Sequence, residues 1–268
     1  MNQVQPYEPP RFQGVAAFYH HRLFYPERLI RRVIALAGLR PGDAVLDLGT
    51  GPGPLAVSFA EAGMAVTAAD PEPLMLEAAA AAARTAGVTL SLWRGGSYEL
   101  TPEMGPYRLV AIGRAFHWMD RAATLKMLDR IITPGGAVVL FHDAHPDVPE
   151  NRWFKTAREI SDRYSKDAAA RTAGRKAGGH RRYEPYLFES AFTQLDGLSV
   201  TSRTEIALDE IVGRAYSMSS CTPARLGDRQ ADFEKDLRAA LAPLAQDGKF
   251  IEIAEMVAVL ARRPERRK

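Results

Sequence analysis

The stretch from Ala44 to Phe59 constrains the fold more than any other part of this sequence. It reads AVLDLGTGPGPLAVSF, which puts an apolar run, three alternating glycines and a helix start within sixteen residues. A short apolar run such as Val45–Leu48 is typical of a buried parallel strand. Gly49, Gly51 and Gly53 can adopt positive φ and leave bare backbone for a ligand to approach. The stretch therefore predicts a strand, a binding turn and a helix whose start faces a nucleotide-like ligand.

The spacing of the glycines argues against two common nucleotide sites. A Walker loop needs G-x-x-x-x-G-K-[ST], and the pair Gly248–Lys249 is followed by Phe250 instead. The dinucleotide fingerprint G-x-G-x-x-G/A would need a small residue at position 54, where the chain has Pro54. Neither nucleotide hydrolysis nor dinucleotide binding is predicted.

An acidic residue downstream gives the glycine turn a more specific meaning. The pattern D-x-G-x-G-x-G from Asp47 to Gly53 is followed by a predicted strand that ends at Asp70, nineteen residues after Gly51. This combination resembles motif I of the class I S-adenosylmethionine-dependent methyltransferases. The resemblance implies that S-adenosylmethionine is the cofactor and that the Asp70 carboxylate accepts its ribose hydroxyls. A strand-end aspartate could instead cap the next helix.

The fold that the resemblance implies is α/β, a Rossmann-like seven-stranded mixed sheet with a helical cap. Its strand order is 3-2-1-4-5-7-6, and the last strand is antiparallel. Apolar spacing and turn residues predict a helix over Val15–Leu39, a turn at Pro134–Gly136 and late strands over Leu198–Leu208 and Phe250–Leu260. The expected division is a cap helix, a cofactor-binding core, a helical lid and the rest of the sheet with a helical insertion: 1–40, 41–143, 144–195 and 196–268.

The N-terminal segment Phe18–Pro26 is rich in aromatic and cationic side chains. It is similar to a Y-x-x-x-R-x-x-Y-P segment that folds over the cofactor in small-molecule methyltransferases. The similarity makes Tyr19 and Arg22 candidates for binding the cofactor carboxylate. The alternative is an amphipathic helix start with exposed basic groups.

The loops after the other strands supply the remaining cofactor candidates. The residues that the resemblance assigns to the cofactor are Asp47, Gly49, Thr50, Gly51, Gly53, Asp70, Pro71, Ser97, Tyr98, Arg114 and Phe116. One position departs from the family pattern, because Gly96 stands where an aspartate usually meets the adenine amino group. Adenine recognition must therefore differ in this chain.

The string A-F-H-W-x-D at residues 115–120 is similar to the small-molecule branch related to quinone-biosynthesis methyltransferases. The N-P-P-Y string of nucleic-acid N6-adenine methyltransferases is absent at this point. His117 in this string, with His142 and His145 after the fifth strand, gives three candidates for a general base. A small-molecule oxygen acceptor is favoured, because a hydroxyl must lose its proton as it attacks. His117 could equally be a buried structural residue, and the cluster near His142 could be solvated or hold a divalent ion, although no metal is predicted.

Composition limits the other possibilities. The net charge of +3 does not by itself require nucleic acid, and the single cysteine excludes paired-cysteine chemistry. No secretion signal or long apolar run is evident, which predicts a cytoplasmic protein without membrane contact. Residues 151–186 carry ten basic and four acidic side chains, a net +6, and include a glycine-rich loop at 172–179. This charge suits an acidic acceptor or a solvated face. An RNA methyltransferase and a non-catalytic cofactor-binding regulator remain the alternatives, and the oligomeric state is open.

Overall fold

One mixed sheet runs through the molecule, in a computed structural model that describes residues 14–165 and 183–264. Its strands are β1 Ala44–Leu48, β2 Ala65–Asp70, β3 Ser91–Arg94, β4 Tyr107–Ile112, β5 Ile132–Ala144, β6 Gln194–Ala207 and β7 Lys249–Arg262. Their order is β3-β2-β1-β4-β5-β7-β6, with β7 antiparallel to both of its neighbours. The predicted fold class and strand order are confirmed.

Several helices begin at prolines and end at glycines, the residue types that favour helix termini. The helices are α1 Glu27–Ala37, α2 Pro54–Glu61, α3 Pro73–Ala86, α4 Arg121–Ile131, α5 Arg152–Tyr164, α6 Glu184–Phe188, α7 Leu208–Tyr216, α8 Pro223–Leu226 and α9 Gln230–Leu241. Both α2 and α3 start with a proline, whose missing N–H has no helical partner there. Gly38 and Gly87 end α1 and α3 in the left-handed conformation.

Two apolar layers cover the sheet, and a third cluster joins the outer helices. Alternate residues of the central strands enter opposite layers: Val45 packs with α1 and α2, and Leu46 packs on the α4 side. The third cluster lies between α5, α7 and α9 around Trp153 and Phe233. The carboxyl ends of β1, β2, β4 and β5 lie together at one edge of the sheet, where ligands bind in open α/β folds.

Several predicted boundaries are wrong. The helix predicted over Val15–Leu39 is broken: a 3-10 helix over Ala16–His21 is followed by an extended stretch, and α1 begins only after Pro26. The reason is that a proline disfavours helical backbone in the residue before it. The predicted turn at 134–136 lies within β5, and β6 ends at Ala207, so that Leu208 already belongs to α7. The glycine-rich loop at 172–179 lies outside the described residues, and the division into four parts stays a prediction.

Candidate active site

The glycine turn after β1 has the geometry that the sequence predicts. Gly49, Gly51 and Gly53 all have positive φ, at 76°, 57° and 85°. A Cβ on Gly49 would lie 2.4 Å from the Cβ of Ala115, and one on Gly53 would lie 2.9 Å from that of Ala79. No larger residue fits at these two positions. The turn is therefore a bare-backbone surface at the carboxyl end of β1.

The Asp47 carboxylate stabilises the glycine turn through hydrogen bonds. Its Oδ2 accepts hydrogen bonds from the Thr50 hydroxyl at 2.6 Å and from the Ala56 amide at 3.0 Å. Its Oδ1 is buried and has no hydrogen-bond partner among the described residues. Burial raises the pKa of Asp47 to about 7, although these two hydrogen bonds act in the opposite direction. Asp47 and Thr50 therefore shape the turn, and Oδ1 leaves an acceptor for a donor group of a ligand.

Asp70 connects the ends of β2 and β1. Its Oδ2 accepts the Gly51 amide at 2.9 Å, and its Oδ1 accepts the Glu72 amide at 3.0 Å. Burial raises the pKa of Asp70, whereas the two amides lower it and leave a net upward shift. Each carboxylate oxygen can accept a second hydrogen bond. The side chain therefore holds the turn and still offers acceptors beside it.

The N-terminal segment lies against this turn. The Tyr19 ring lies 3.8 Å from the point where a Gly51 Cβ would stand. Arg22 donates to the Ser217 hydroxyl at 2.7 Å and to the Ser217 carbonyl at 2.6 Å. Burial lowers the pKa of Arg22, and the part of the chain that the structure describes gives it no carboxylate within ion-pair distance. Arg22 is thus a partly buried cation, and its guanidinium lies 5.5 Å from the centre of the Tyr19 ring, which lies against the glycine turn. No sequence signal pointed to Ser217 as its partner.

The loop after β3 runs beside Pro71. Ser97 and Tyr98 form its turn, and Tyr98 is 43% exposed. Glu99 folds back so that its Oε2 accepts the Gly96 amide at 2.9 Å. A Cβ on Gly96 would lie 3.5 Å from that oxygen and 3.9 Å from two ring atoms of Pro71. Glu99 lies in the loop where an acid was expected, although no sequence motif singles it out.

The Arg114 guanidinium is hydrogen-bonded to other groups of the protein. Its Nε donates to Asp143 Oδ1 at 2.5 Å, and one Nη donates to the Leu23 carbonyl at 2.6 Å. Its guanidinium lies 4.9 Å from the centre of the Tyr25 ring. Although burial acts against charging, the anionic and phenolic neighbours raise the pKa of Arg114, and this cation holds the pKa of Asp143 below its usual range. Arg114 therefore joins the N-terminal segment to the end of β5.

The candidate residues after β4 separate into a core residue and a surface residue. Phe116 is fully buried, and its ring meets Tyr183 edge-on at 5.2 Å. It packs in the core, and its predicted contact with the cofactor has no support from this burial. His117 is exposed and lies 4.6 Å from the Trp118 ring, so the alternative of a buried structural histidine is wrong.

His142, near the end of β5, is partly buried with its ring edge-on to Tyr183 at 5.9 Å.

His145 belongs to a buried ionic cluster. Its Nε2 and the Glu252 Oε1 are 2.7 Å apart, and both side chains are almost fully buried. Arg214 donates to both oxygens of the same carboxylate, and Phe154 stacks on the imidazole at 3.9 Å. Burial by itself raises the pKa of Glu252, but hydrogen bonds from His145 and Arg214 outweigh it and keep this pKa low. The cluster ties β5 and β7 to α7, which leaves His145 poorly placed to reach an acceptor.

The basic residues of α5 point away from the core. Trp153, Ala157 and Ile160 form its buried face. Its basic residues are exposed: Arg152, Lys155, Arg158 and Arg163. Because they are exposed, the four basic side chains form a solvated face.

Within 14–165 and 183–264, no three possible metal ligands cluster, and no helix has the length and apolar character to cross a bilayer.

Fold and turn together define a class of protein. A seven-stranded sheet with an antiparallel seventh strand, a glycine turn after β1 and an acid at the end of β2 is the arrangement of class I methyltransferases. Residues 45–136 match a family described as a methyltransferase domain. Residues 45–136 therefore carry a methyltransferase domain of the class I S-adenosylmethionine-dependent type, as the motifs predicted.

Relatives and solved structures agree with this assignment. An uncharacterised methyltransferase of Mycobacterium tuberculosis is 32% identical over 150 residues, which are 56% of this chain and 58% of that protein. Protein-L-isoaspartate O-methyltransferase of Methylorubrum extorquens is 33% identical over 110 residues, 40% of this chain and 48% of that protein. The chain thus matches only about half of the length of these relatives. The methyltransferase of Geobacter sulfurreducens, solved with S-adenosylhomocysteine, has the same fold, with a TM-score of 0.53, 18% identity and coverage of 96% and 99% of the two chains.

Proposed function

We propose that this chain transfers a methyl group from S-adenosylmethionine to a small-molecule acceptor. The observation that carries the proposal is the bare-backbone turn of Gly49, Gly51 and Gly53 with the Asp70 carboxylate beside it. The structures of similar fold from Geobacter sulfurreducens and Thiobacillus denitrificans were solved with S-adenosylhomocysteine, which supports the same choice of ligand.

The residues present suit this cofactor. Asp70 can accept a ribose hydroxyl, because its oxygens hold only one backbone amide each. Arg22 can bind the carboxylate of the cofactor, with Tyr19 beside it, since it has a partly buried charge without an ion-pair partner among the described residues. Asp47 Oδ1 can accept from the amino group, directly or through water, because it is a buried acceptor without a partner in this part of the chain.

The protein has to hold the acceptor rather than to activate the methyl group. When bound, S-adenosylmethionine would supply a methyl group already activated by a cationic sulfur, which leaves as a neutral thioether when the methyl group passes to the acceptor. Orientation of the two groups can account for about 7 to 11 kcal/mol of the barrier. The ends of β4 and β5, where Arg114 and Asp143 pair and Tyr183 faces His142, are the proposed acceptor side.

For the methylated atom we propose oxygen, with His142 as the base. Of the three candidate histidines, His145 is held by Glu252, and His117 is exposed beside Trp118. His142 lies near the carboxyl end of β5, partly buried, where an imidazole could take the hydroxyl proton. A cytoplasmic location and the exclusion of RNA stay predictions of the sequence.

The test of the proposal is incubation with labelled S-adenosylmethionine and fractionated small-molecule extract. We expect label in one low-molecular-weight fraction, and loss of about a hundredfold in its rate of formation for His142→Ala. His117→Ala serves as the matched control and should stay within a few-fold. Label only in RNA would favour the RNA alternative. If S-adenosylhomocysteine binds but no acceptor is labelled, the result favours a non-catalytic cofactor-binding regulator.

A further inference from the structure

The Arg121 guanidinium uses only part of its hydrogen-bonding capacity. Arg121 is the first residue of α4, and its Nη1 donates to the Tyr186 hydroxyl at 2.8 Å. Its guanidinium lies 4.8 Å from the centre of the Tyr186 ring. Its Nε is buried and has no hydrogen-bond partner among the described residues. Within this part of the chain, Nη2 has no acceptor either, and no carboxylate lies within ion-pair distance.

The unused edge of Arg121 has the shape of a carboxylate site. Nε and Nη2 lie side by side on a planar group, so their N–H bonds point in parallel and match the two oxygens of a carboxylate. Tyr186 holds Nη1 and packs near the guanidinium, which fixes the direction of this edge. A buried charged donor without an acceptor is costly, so the arrangement favours a ligand that supplies one.

Arg121 lies next to the proposed acceptor side. Because α4 follows the parallel strand β4, it begins at the edge of the sheet where ligands bind. Tyr183 and Tyr186 are three residues apart at the start of α6, and the Tyr186 amide donates to the Tyr183 carbonyl at 3.1 Å. Side chains at this spacing are neighbours, about 5 to 6 Å apart at Cβ. Tyr186 contacts Arg121, whereas Tyr183 meets the His142 ring edge-on at 5.9 Å.

The charges around Tyr183 agree with this placement. Burial raises the pKa of Tyr183, the Arg121 charge acts to lower it, and the Asp143 charge acts to raise it further. The phenol thus lies within electrostatic reach of both groups. Arg114 is paired with Asp143 at 2.5 Å. Of these two arginines, Arg121 therefore has the charge that remains available to an acceptor.

We propose that Arg121 is a specificity-determining residue that binds a carboxylate of the methyl acceptor, which makes the substrate class a small hydroxy acid. This inference rests on the proposed function and gives the acceptor its second anchor: the acid group meets Nε and Nη2 of Arg121, and the hydroxyl faces His142. A carboxylate matches the single charge of this edge. A phosphate monoester would bring about −1.5 to −2 charges and three acceptor oxygens.

The experiment divides a small-molecule extract on an anion exchanger at pH 7 and offers each half to the protein with labelled S-adenosylmethionine. We expect the acceptor in the retained half. Its activity should survive phosphatase treatment and be lost when carbodiimide and methylamine convert carboxylates into amides. With this half as substrate, Arg121→Gln should raise the apparent KM about tenfold or more, the scale of hydrogen bonds to a charged group. The kcat should stay within a few-fold, and the affinity for S-adenosylhomocysteine within about twofold.

Three further variants sharpen the test. Arg121→Lys keeps the charge without the parallel N–H pair, so its KM should lie between those of the parent and Arg121→Gln. Tyr186→Phe keeps the ring but removes the hydroxyl that holds Nη1, and should raise KM a few-fold even if the Arg121 variants do not fold. Arg158→Gln is the matched control, because this guanidinium also lies over an aromatic ring, that of Phe154 at 5.7 Å, but on the exposed face of α5. It should leave KM unchanged.

Several outcomes would overturn the inference. Acceptor activity in the unretained half would mean that the acceptor carries no acid, and loss of activity on phosphatase treatment would mean that its anion is a phosphate. An unchanged KM for Arg121→Gln, or for Tyr186→Phe where the Arg121 variants do not fold, would mean that this edge binds no acceptor. A fall in S-adenosylhomocysteine affinity in step with the rise in KM would mean that Arg121 only supports the fold. If the parent labels neither half, the proposed function itself is wrong and the inference falls with it.

Discussion

The two sides of the proposed active site are held together by different kinds of contact. On the cofactor side, Asp47 and Asp70 bond to groups that are 2 to 19 positions away in the sequence. On the acceptor side, Arg114 bonds to Asp143 across 29 positions and to the Leu23 carbonyl across 91, and behind them His145 meets Glu252 across 107. The first side is one contiguous motif closed on itself, whereas the second is assembled from distant parts of the chain. We therefore expect damage to the first to reduce ligand binding and damage to the second to reduce stability.

The largest effect should come from the buried ionic cluster. Glu252→Gln removes the charge that both Arg214 and His145 face, and leaves a buried guanidinium without its partner. We expect the free energy of unfolding to fall by about 3 to 5 kcal/mol, measured by urea denaturation, with little change in S-adenosylhomocysteine affinity once the protein is folded.

Glu205→Gln is the matched control, because its pair with Lys249 is 55% to 61% exposed. Its loss should cost less than about 1 kcal/mol. Equal losses for the two variants would show that the buried cluster stabilises the fold no more than an exposed ion pair does.

At the glycine turn we expect the opposite result: the two variants should differ in ligand affinity and not in the free energy of unfolding. Gly49→Ala brings a Cβ to 2.4 Å from that of Ala115 at a φ of 76°, so the turn must shift. Gly87→Ala has a similar φ of 70° but open space around the new methyl group. Calorimetry with S-adenosylhomocysteine should show more than a tenfold loss of affinity for Gly49→Ala and none for Gly87→Ala. Both should lose about 1 to 2 kcal/mol of stability from backbone strain. Unchanged affinity for Gly49→Ala would separate the turn from the ligand.

The two sides should also respond to pH with opposite sign. The folded pKa of Asp47 is raised from 3.8 to about 7, so its native state holds a proton that the unfolded chain releases. Its contribution to stability falls as the pH rises from about 4 to 7. The pKa of Glu252 is lowered, so its contribution is present above its ordinary value of 4.5 and is lost as the pH falls through the folded value.

Melting temperatures recorded from pH 4 to 8 check this difference. Asp47→Asn should flatten the decline between pH 4 and 7 relative to the parent. A curve for Asp47→Asn parallel to that of the parent would show that the pKa of Asp47 is the same in the folded and the unfolded protein.

The smallest effect on stability is expected for an ion pair that is close in sequence but exposed. It tests whether burial, and not closeness in sequence, decides how much a contact stabilises the fold. Arg31 pairs with Glu27 at 2.5 Å within one turn of α1, and both side chains are about three-quarters exposed. Arg31→Ala should change the free energy of unfolding by no more than about 0.5 kcal/mol. A loss above 1 kcal/mol would mean that local contacts stabilise this protein regardless of burial.

The sequence by itself determined the cofactor side of this protein. The glycines at 49, 51 and 53, and the aspartates at 47 and 70, act through backbone geometry and near neighbours, so their spacing along the chain already contained the contacts. The strand order followed from the family that this spacing indicates, and the fold confirms it.

Only the tertiary structure decided the roles on the acceptor side. The sequence offered three candidate bases and favoured His142 or His145, but folding buried His145 against Glu252, left His117 exposed and put His142 beside Tyr183. The same holds for Arg114, which pairs with Asp143 on the next strand, and for Glu99, which turns back to Gly96. The physical reason is that a titratable side chain takes its role from burial and from the charge that faces it, and long-range packing sets both.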